Sequence, residues 1–327
     1  MKRFRDEDQL VAAIAWQFLP GRGGQLRLGI GDDAALWKPR TGFVSILTSD
    51  WFLEDSHFLR EKHPSDGVGW KCLARAASDI AAMGGTPKCF LLNLAIPEDA
   101  TGKWLGGFLG GLRSAAKSLQ CVLAGGDTTR SKRILISVTV VGEIREGHEV
   151  LRSGARPGDL IYVSGTLGEA EHGLRLLRKS KRRIASRNGA MRKHLYPEPR
   201  VKLGRWLAER KLATAMMDVS DGLSTDLRRL CGASGVGAQI DQNKLPVVPD
   251  MPVDSARRLA LHGGDDYELI FTVSARRAER LPTMFHQKLK LTQIGEIRSG
   301  REVRIVDKYG RTQELRPAGW DPFRASS

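Results

Sequence analysis

The chain has 327 residues, with 52 Lys plus Arg against 37 Asp plus Glu, a formal net charge of +15. That length suits two domains, and a hydrophobic share of 41% is enough to bury a core in each, which excludes global disorder. No uncharged run approaches the roughly 18 to 20 apolar residues of a membrane span, and the start, MKRFRDEDQL, lacks an apolar signal stretch, so a cytoplasmic protein is expected.

In chain order, apolar spacing predicts a helix over 7–18, a strand over 43–48, helices over 66–83 and 98–118, and strands over 134–141 and 160–164. Helices follow over 168–178, 200–210 and 221–231, then strands over 236–240 and 269–273, a helix over 275–285 and a strand over 291–297. The helix over 66–83 has the firmest punctuation, with Pro64-Ser65 before it and Gly84-Gly85 after it. Interleaved strands and helices predict an α/β fold with mixed sheets. The Gly/Pro-rich turn RSGARPGD (152–159) separates two strand-rich parts and places a domain boundary just before it, giving 1–148 and 149–327.

A strong positive charge suggests nucleic acid, because Lys and Arg neutralise phosphates. Here nine cations, Arg175, Arg178, Lys179, Lys181, Arg182, Arg183, Arg187, Arg192 and Lys193, lie in one stretch free of acidic residues between Glu171 and Glu198. A solvated surface segment explains such a run, with an anionic or RNA partner as the competing reading. Aromatic residues make up only 6%, which argues against an RNA-binding sheet. The four cysteines are far apart without metal-ligand spacing and read as buried thiols.

The minority charge carries the chemistry. Aspartates recur in Gly-flanked motifs: GIGDDAAL (Asp32, Asp33), LTSDWFLEDSHF (Asp50, His57), AASDIAAMGG (Asp79), AGGDTTR (Asp127), DVSDGLSTDL (Asp218, Asp221) and HGGDDYELIF (Asp265, Asp266). One such motif reads equally well as a helix cap or Asx-turn, and Asp221 is a candidate cap. Six together point to hard cations, since Mg2+ is held by one or two carboxylates together with substrate phosphates. Gly111–Ser118 imitates a P-loop but has Ala116 where the second glycine belongs, and the segment from Gly21 departs from G-x-G-x-x-G at Leu26.

The order of these motifs, with SDIAAMGG-x-P, RSGA-x-PGD, GG-x-DYEL and a terminal GW-D-x-F, resembles the thiamine-monophosphate kinase family from about Leu28 to Phe323. That family belongs to the superfamily of aminoimidazole ribonucleotide synthetase and selenophosphate synthetase. The resemblance implies a two-domain fold: an N-terminal domain forms a dimeric β-barrel with a second subunit, and the C-terminal domain is α/β. It implies transfer of the γ-phosphoryl group of ATP to thiamine monophosphate, giving thiamine diphosphate and ADP. Asp33, Thr48, Ser49, Asp50, Asp79, Asp127, Asp218 and Asp221 then resemble ligands of several Mg2+ ions, with Asp50, Asp127 and Asp218 acting catalytically through them. Gly126, Asp127, Arg152 and Ser220 resemble ATP contacts, and His57, Asp265 and Trp320 resemble the thiamine site. Trp320 reads equally as an anchor for the C-terminal tail. Phe108 is the nearest candidate for an adenine-stacking aromatic, and Asp265 stands where the family usually has Glu. The alternatives are a superfamily cousin sharing the aspartates, and a basic RNA-binding protein.

Overall fold

A computed structural model of the chain describes residues 7–18, 25–180 and 189–323. Helix α1 (Glu7–Gln17) precedes a ribbon of β1 (Leu26–Leu28) and β2 (Leu36–Trp37). Then come β3 (Phe43–Leu53), α2 (Ser65–Ala82), β4 (Thr86–Ile96), α3 (Lys103–Leu119), β5 (Val122–Arg130) and β6 (Leu135–Arg145). The four long strands form one sheet in the order β3-β6-β4-β5, leaving β3 and β5 as its two edges.

Successive side chains on a strand face opposite ways, so each strand sorts its residues by parity. On β3, Ile46 and Phe52 are buried while Leu47 and Trp51 are 71% and 59% exposed. The inner face, against α2, therefore carries Thr48 and Asp50, and the outer face carries Leu47, Ser49 and Trp51. In register across the sheet, the outer row runs Trp51, Ser137, Asn93, Asp127 and the inner row Asp50, Val138, Leu92, Gly126.

Thirteen of the 18 residues of α2 are buried, because this helix lies between the N-terminal sheet and the C-terminal half. Small residues allow its close crossing with α3: a Cβ on Gly69 would lie 1.9 Å from the Phe108 carbonyl oxygen, and one on Gly111 would lie 1.8 Å from that of Asp66.

The C-terminal half contains β7 (Asp159–Ser164), α4 (Glu169–Lys179), α5 (Gly189–Leu195), α6 (Val201–Glu209), β8 (Ala213–Val219), α7 (Leu223–Ser234), β9 (Gly237–Asp241) and α8 (Val253–His262). It ends with β10 (Glu268–Ser274), α9 (Ala275–Ala278), β11 (Met284–Phe285), β12 (Leu289–Arg298), β13 (Val303–Val306) and β14 (Thr312–Glu314). Its main sheet has the order β14-β13-β9-β12-β7-β10-β8. Met216 and Phe271 on one face join the core that contains Leu73 of α2 and Leu207 of α6, whereas Met217 and Ile270 on the other pack with Leu223 and Leu227 of α7. The mixed α/β architecture agrees with the expectation from the sequence.

Local departures have physical causes. The helix expected over 275–285 stops at Ala278 and gives way to a strand, because Pro282 has no N–H and disfavours helical geometry at Leu281. The helix expected over 98–118 is a 3-10 turn, Glu98–Ala100, and then α3, interrupted at Gly102. Strands β4 and β5 and helices α5 and α8 were not expected. Asp127, expected in a turn, lies within β5, where Gly126 adopts φ 149 and passes close to the Leu92 carbonyl. Of the basic stretch, Lys181, Arg182, Arg183 and Arg187 lie outside the described residues.

Candidate active site

A cleft of about 700 Å³ opens where β3, α2, the end of β8 and the loop before β10 converge, lined among others by Asp50, Asp79, Asp218 and Asp221 and by His57, Asp265 and Trp320. Asp50 reaches it from the inner face of β3, and Thr48 on the same face supports it through Asp79. Thr48 Oγ1 donates to Asp79 Oδ2 at 2.5 Å, which ties β3 to α2. Ser78 Oγ donates to Asp218 Oδ2 at 2.7 Å, which ties α2 to β8.

Two of the carboxylates, Asp50 and Asp218, hold their protons more tightly than usual. Burial pushes Asp218 up to about 8, with Asp79 and Asp50 adding to the rise and the Ser78 hydrogen bond opposing it. Burial also raises Asp50, Asp79 and Asp221 contribute, and Arg75 counteracts them. Arg75 and Arg229 offset this only in part, and a buried carboxylate set of raised proton affinity is donor chemistry that suits a hard divalent cation. Among the described residues, no three His, Cys, Asp or Glu side chains converge tightly enough to hold an ion alone.

The rings of His57 and Trp320 are 6.5 Å apart. His57 Nδ1 accepts from the Leu53 N–H at 3.1 Å, and burial, with Arg75 assisting, lowers this imidazole to about 4. A neutral ring with a free Nε2 follows. Trp320 is tied through its backbone, its N–H donating to the Asp221 carbonyl at 2.9 Å, while its side chain stays 48% exposed. The backbone of this residue anchors the tail and its ring faces the cleft.

Asp265 adopts φ 68 and Tyr267 φ 50, left-handed conformations that non-glycine residues avoid. Three hydrogen bonds hold the turn. The Asp265 N–H donates to the Ser220 carbonyl at 2.8 Å, Lys71 Nζ donates to Asp265 Oδ2 at 2.8 Å, and Tyr267 OH donates to Oδ1 at 2.7 Å. Burial alone would raise this carboxyl, but Lys71, His194 and Arg75 hold it well below the usual range. Behind Lys71 runs a buried relay: Lys71 faces His194 Nδ1 at 3.3 Å, and His194 Nε2 faces His63 Nε2 at 3.1 Å.

Two profiles match the chain, "AIR synthase related protein, N-terminal domain" over residues 31–144 and the corresponding C-terminal domain over 156–308. Thiamine-monophosphate kinase of Bacillus subtilis (strain 168) is 36% identical over 98% of this chain and all of its own length. The chain belongs to the thiamine-monophosphate kinase family. Among solved structures, the family member from Stenotrophomonas maltophilia K279a has a TM-score of 0.80 at 38% identity, covering 91% of this chain and 96% of its own. The structure titled AaThiL complexed with AMPPCP and TMP has a TM-score of 0.76 at 32% identity, covering 99% of both chains.

Against the residues that thiamine-monophosphate kinase resemblance singles out, one chain brings together only part of the set. Thr48, Asp50, Asp79, Asp218, Ser220, Asp221, His57, Asp265 and Trp320 surround or support the cleft. Asp33, Gly126 and Asp127 are exposed, and do not line it. Asp127 lies on the opposite sheet face from Asp50 and three strand spacings away, roughly 14 Å. Arg152 is likewise exposed, its carbonyl accepting from Ser234 Oγ. Ser49 also lines the cleft, although its Oγ is engaged with Thr139 Oγ1 at 2.9 Å.

Several expectations are corrected. Phe108 is fully buried and stacks on Trp104 with centroids 5.4 Å apart, so its ring is not presented to adenine. Asp221 does not cap α7: its carboxylate pairs with Arg229, and Asp226 accepts the Ser220 and Asp221 N–H groups instead. Asp266 accepts from the N–H groups of Gly168 and Ala170 at the start of α4, which gives this aspartate a structural partner away from the cleft. Part of the basic stretch is also structural: Arg175 pairs with Glu171 and Lys193 with Glu268, while Arg178 lines the cleft. Sequence reading missed Lys71, Arg75, Ser78 and Tyr267. The first two lie at four-residue steps before Asp79, a spacing that puts all three on one face of α2.

Proposed function

We propose that the chain is a thiamine-monophosphate kinase, passing the γ-phosphoryl group of ATP to the phosphate of thiamine monophosphate to give thiamine diphosphate and ADP. One observation carries this reading: a single cleft is lined both by the carboxylates Asp50, Asp79, Asp218 and Asp221 and by His57 with the half-exposed Trp320 ring. The relative solved with AMPPCP and TMP supports the two reactants.

The acceptor brings its own nucleophile, because a phosphate monoester with a second pKa of about 6 is mostly dianionic at pH 7. A protein base is then unnecessary, in keeping with a His57 imidazole held by a backbone N–H. Asp50, Asp79, Asp218 and Asp221 would hold Mg2+, which when bound offsets the repulsion between the acceptor dianion and the triphosphate. Trp320 and His57 would orient the thiamine ring system, and Asp265 is the nearby anion. Positioning of this kind can supply about 7 to 11 kcal/mol of the barrier.

The remaining residues imply a homodimer. The outer face of the N-terminal sheet exposes Leu47, Trp51 and Leu91, and among the described residues no strand pairs with the outer edge of β3 or β5. Joining the β5 edge of one protomer to the β3 edge of its partner would close an eight-stranded barrel over this apolar face. That closure would carry Asp127 and Gly126, with the Asp33 segment that packs near β5 at Gly29, towards Ser49 and Asp50 of the other protomer. The site would then be composite, with Arg152 and Ser220 as further ATP contacts. The same reading divides the chain into a dimerising domain, 1–148, and a domain completing the site, 149–327. No described helix is long and apolar enough to cross a membrane, and four buried free cysteines support a reducing cytoplasmic setting.

Incubation with ATP, Mg2+ and thiamine monophosphate, with free thiamine as control, should yield thiamine diphosphate by mass from the monophosphate only. No thiamine diphosphate at high enzyme concentration would overturn the proposal.

A further inference from the structure

Lys71, Arg75 and Asp79 lie at successive turns of α2, about 6 Å apart along its axis. The outer two are committed: Lys71 is bonded to Asp265 and Asp79 to Thr48. Arg75, between them, lines the cleft. Its guanidinium forms no hydrogen bond or ion pair among the described residues, its Nε is buried without a partner, and it rests over the Phe52 ring at 5.2 Å from the centroid. Buried polar groups are normally paired, so this donor fork lacks an acceptor.

We infer that Arg75 binds the phosphate of thiamine monophosphate and selects it over unphosphorylated thiamine. The inference rests on the kinase reading, and deepens it. With the thiamine rings beside Asp265, which Lys71 holds, and the metal beside Asp79, the phosphate between them would lie next to Arg75 on the same face of α2. A guanidinium offers two parallel N–H donors matched to two phosphate oxygens, whereas an ammonium offers a point charge. Contact with Phe52 stiffens the side chain and limits the rotamer freedom lost on binding. Burial disfavours the charged guanidinium, and opposing charge from Asp50, Asp265 and Asp221 helps to outweigh it.

The test uses the full chain as wild type, Arg75→Met and Arg75→Lys, measuring Kd for thiamine monophosphate and for thiamine, and KM for ATP. Arg75→Met should weaken thiamine monophosphate by about 10- to 100-fold while thiamine and ATP stay within about 2-fold. Arg75→Lys should fall between, keeping charge and losing the fork, and it carries the test if Arg75→Met does not fold. Equal weakening of both thiamine ligands would assign Arg75 a structural role, a change confined to ATP would move it to the other substrate, and an unchanged ratio would remove it from recognition; each result overturns the inference. Failure of the kinase reading shows separately, as a wild type that makes no thiamine diphosphate.

Discussion

Lys71 Nζ lies 2.8 Å from Asp265 Oδ2 in a contact that joins α2 to the loop before β10, with the lysine only 1% exposed. Burial lowers the affinity of this ammonium for its proton and Asp265 opposes that fall, so each partner maintains the other's charge. The pair fixes a strained aspartate at the rim of the cleft and, with Ser78 and Asp218, links the two halves of the chain.

Removal of one partner should therefore harm more than removal of both. Lys71→Met leaves the partly buried Asp265 carboxylate without its ammonium partner and should cost about 1 to 3 kcal/mol, read as a fall in denaturation midpoint. Lys71→Met with Asp265→Asn should recover part of that loss. A double variant no more stable than Lys71→Met would show that the pair is not the origin of the cost.

Glu268 gives a pH dependence with a definite sign. It is fully buried, pairs with Lys193 and Arg200, and is lowered to about 2 against the ordinary 4.5; burial opposes the shift and the two cations outweigh it. A depressed carboxyl contributes stability that is present above its unfolded pKa and lost as pH falls through the folded one. Thermal stability should thus drop between about pH 4.5 and 2 in the wild type, and Glu268→Gln should be less stable at pH 7 with a shallower acid limb. An unchanged acid limb would count against the assignment.

Trp320 separates anchoring from recognition. Its backbone holds the tail while its ring is half exposed, so Trp320→Ala should shift stability by less than about 1 kcal/mol and raise KM for thiamine monophosphate roughly tenfold. Loss of stability at constant KM would assign the ring to the tail.

The legible part of the site was the part encoded locally. Asp50 at the end of an apolar run and the helix around Asp79 are set by short-range pattern, and the fold places them together as the motifs implied. The ties that hold the cleft, Thr48 to Asp79, Ser78 to Asp218 and Lys71 to Asp265, span 31, 140 and 194 residues. No local period reports such distances. Strand β5 was hidden because Gly125, Gly126 and Asp127 read as turn chemistry, whereas pairing in register with β4 keeps them extended. Phe108 misled for the opposite reason: an aromatic near a Gly-rich helix looks exposed until α2 is seen to cross it at Gly69.

The central claim is that phosphoryl transfer runs through a site built from two protomers, with Asp50 supplied by one and Asp127 by the other. The direct measurement is label transfer from [γ-32P]ATP to thiamine monophosphate by wild type, Asp50→Asn, Asp127→Asn, and a mixture of the two variants allowed to exchange subunits. The wild type should form labelled thiamine diphosphate and each variant alone should fall by at least about 100-fold. The mixture should recover to about a quarter of wild-type rate, because each mixed dimer regains one intact site. A mixture that stays at the level of the separate variants despite demonstrated subunit exchange, or a wild type that transfers no label, would contradict the account.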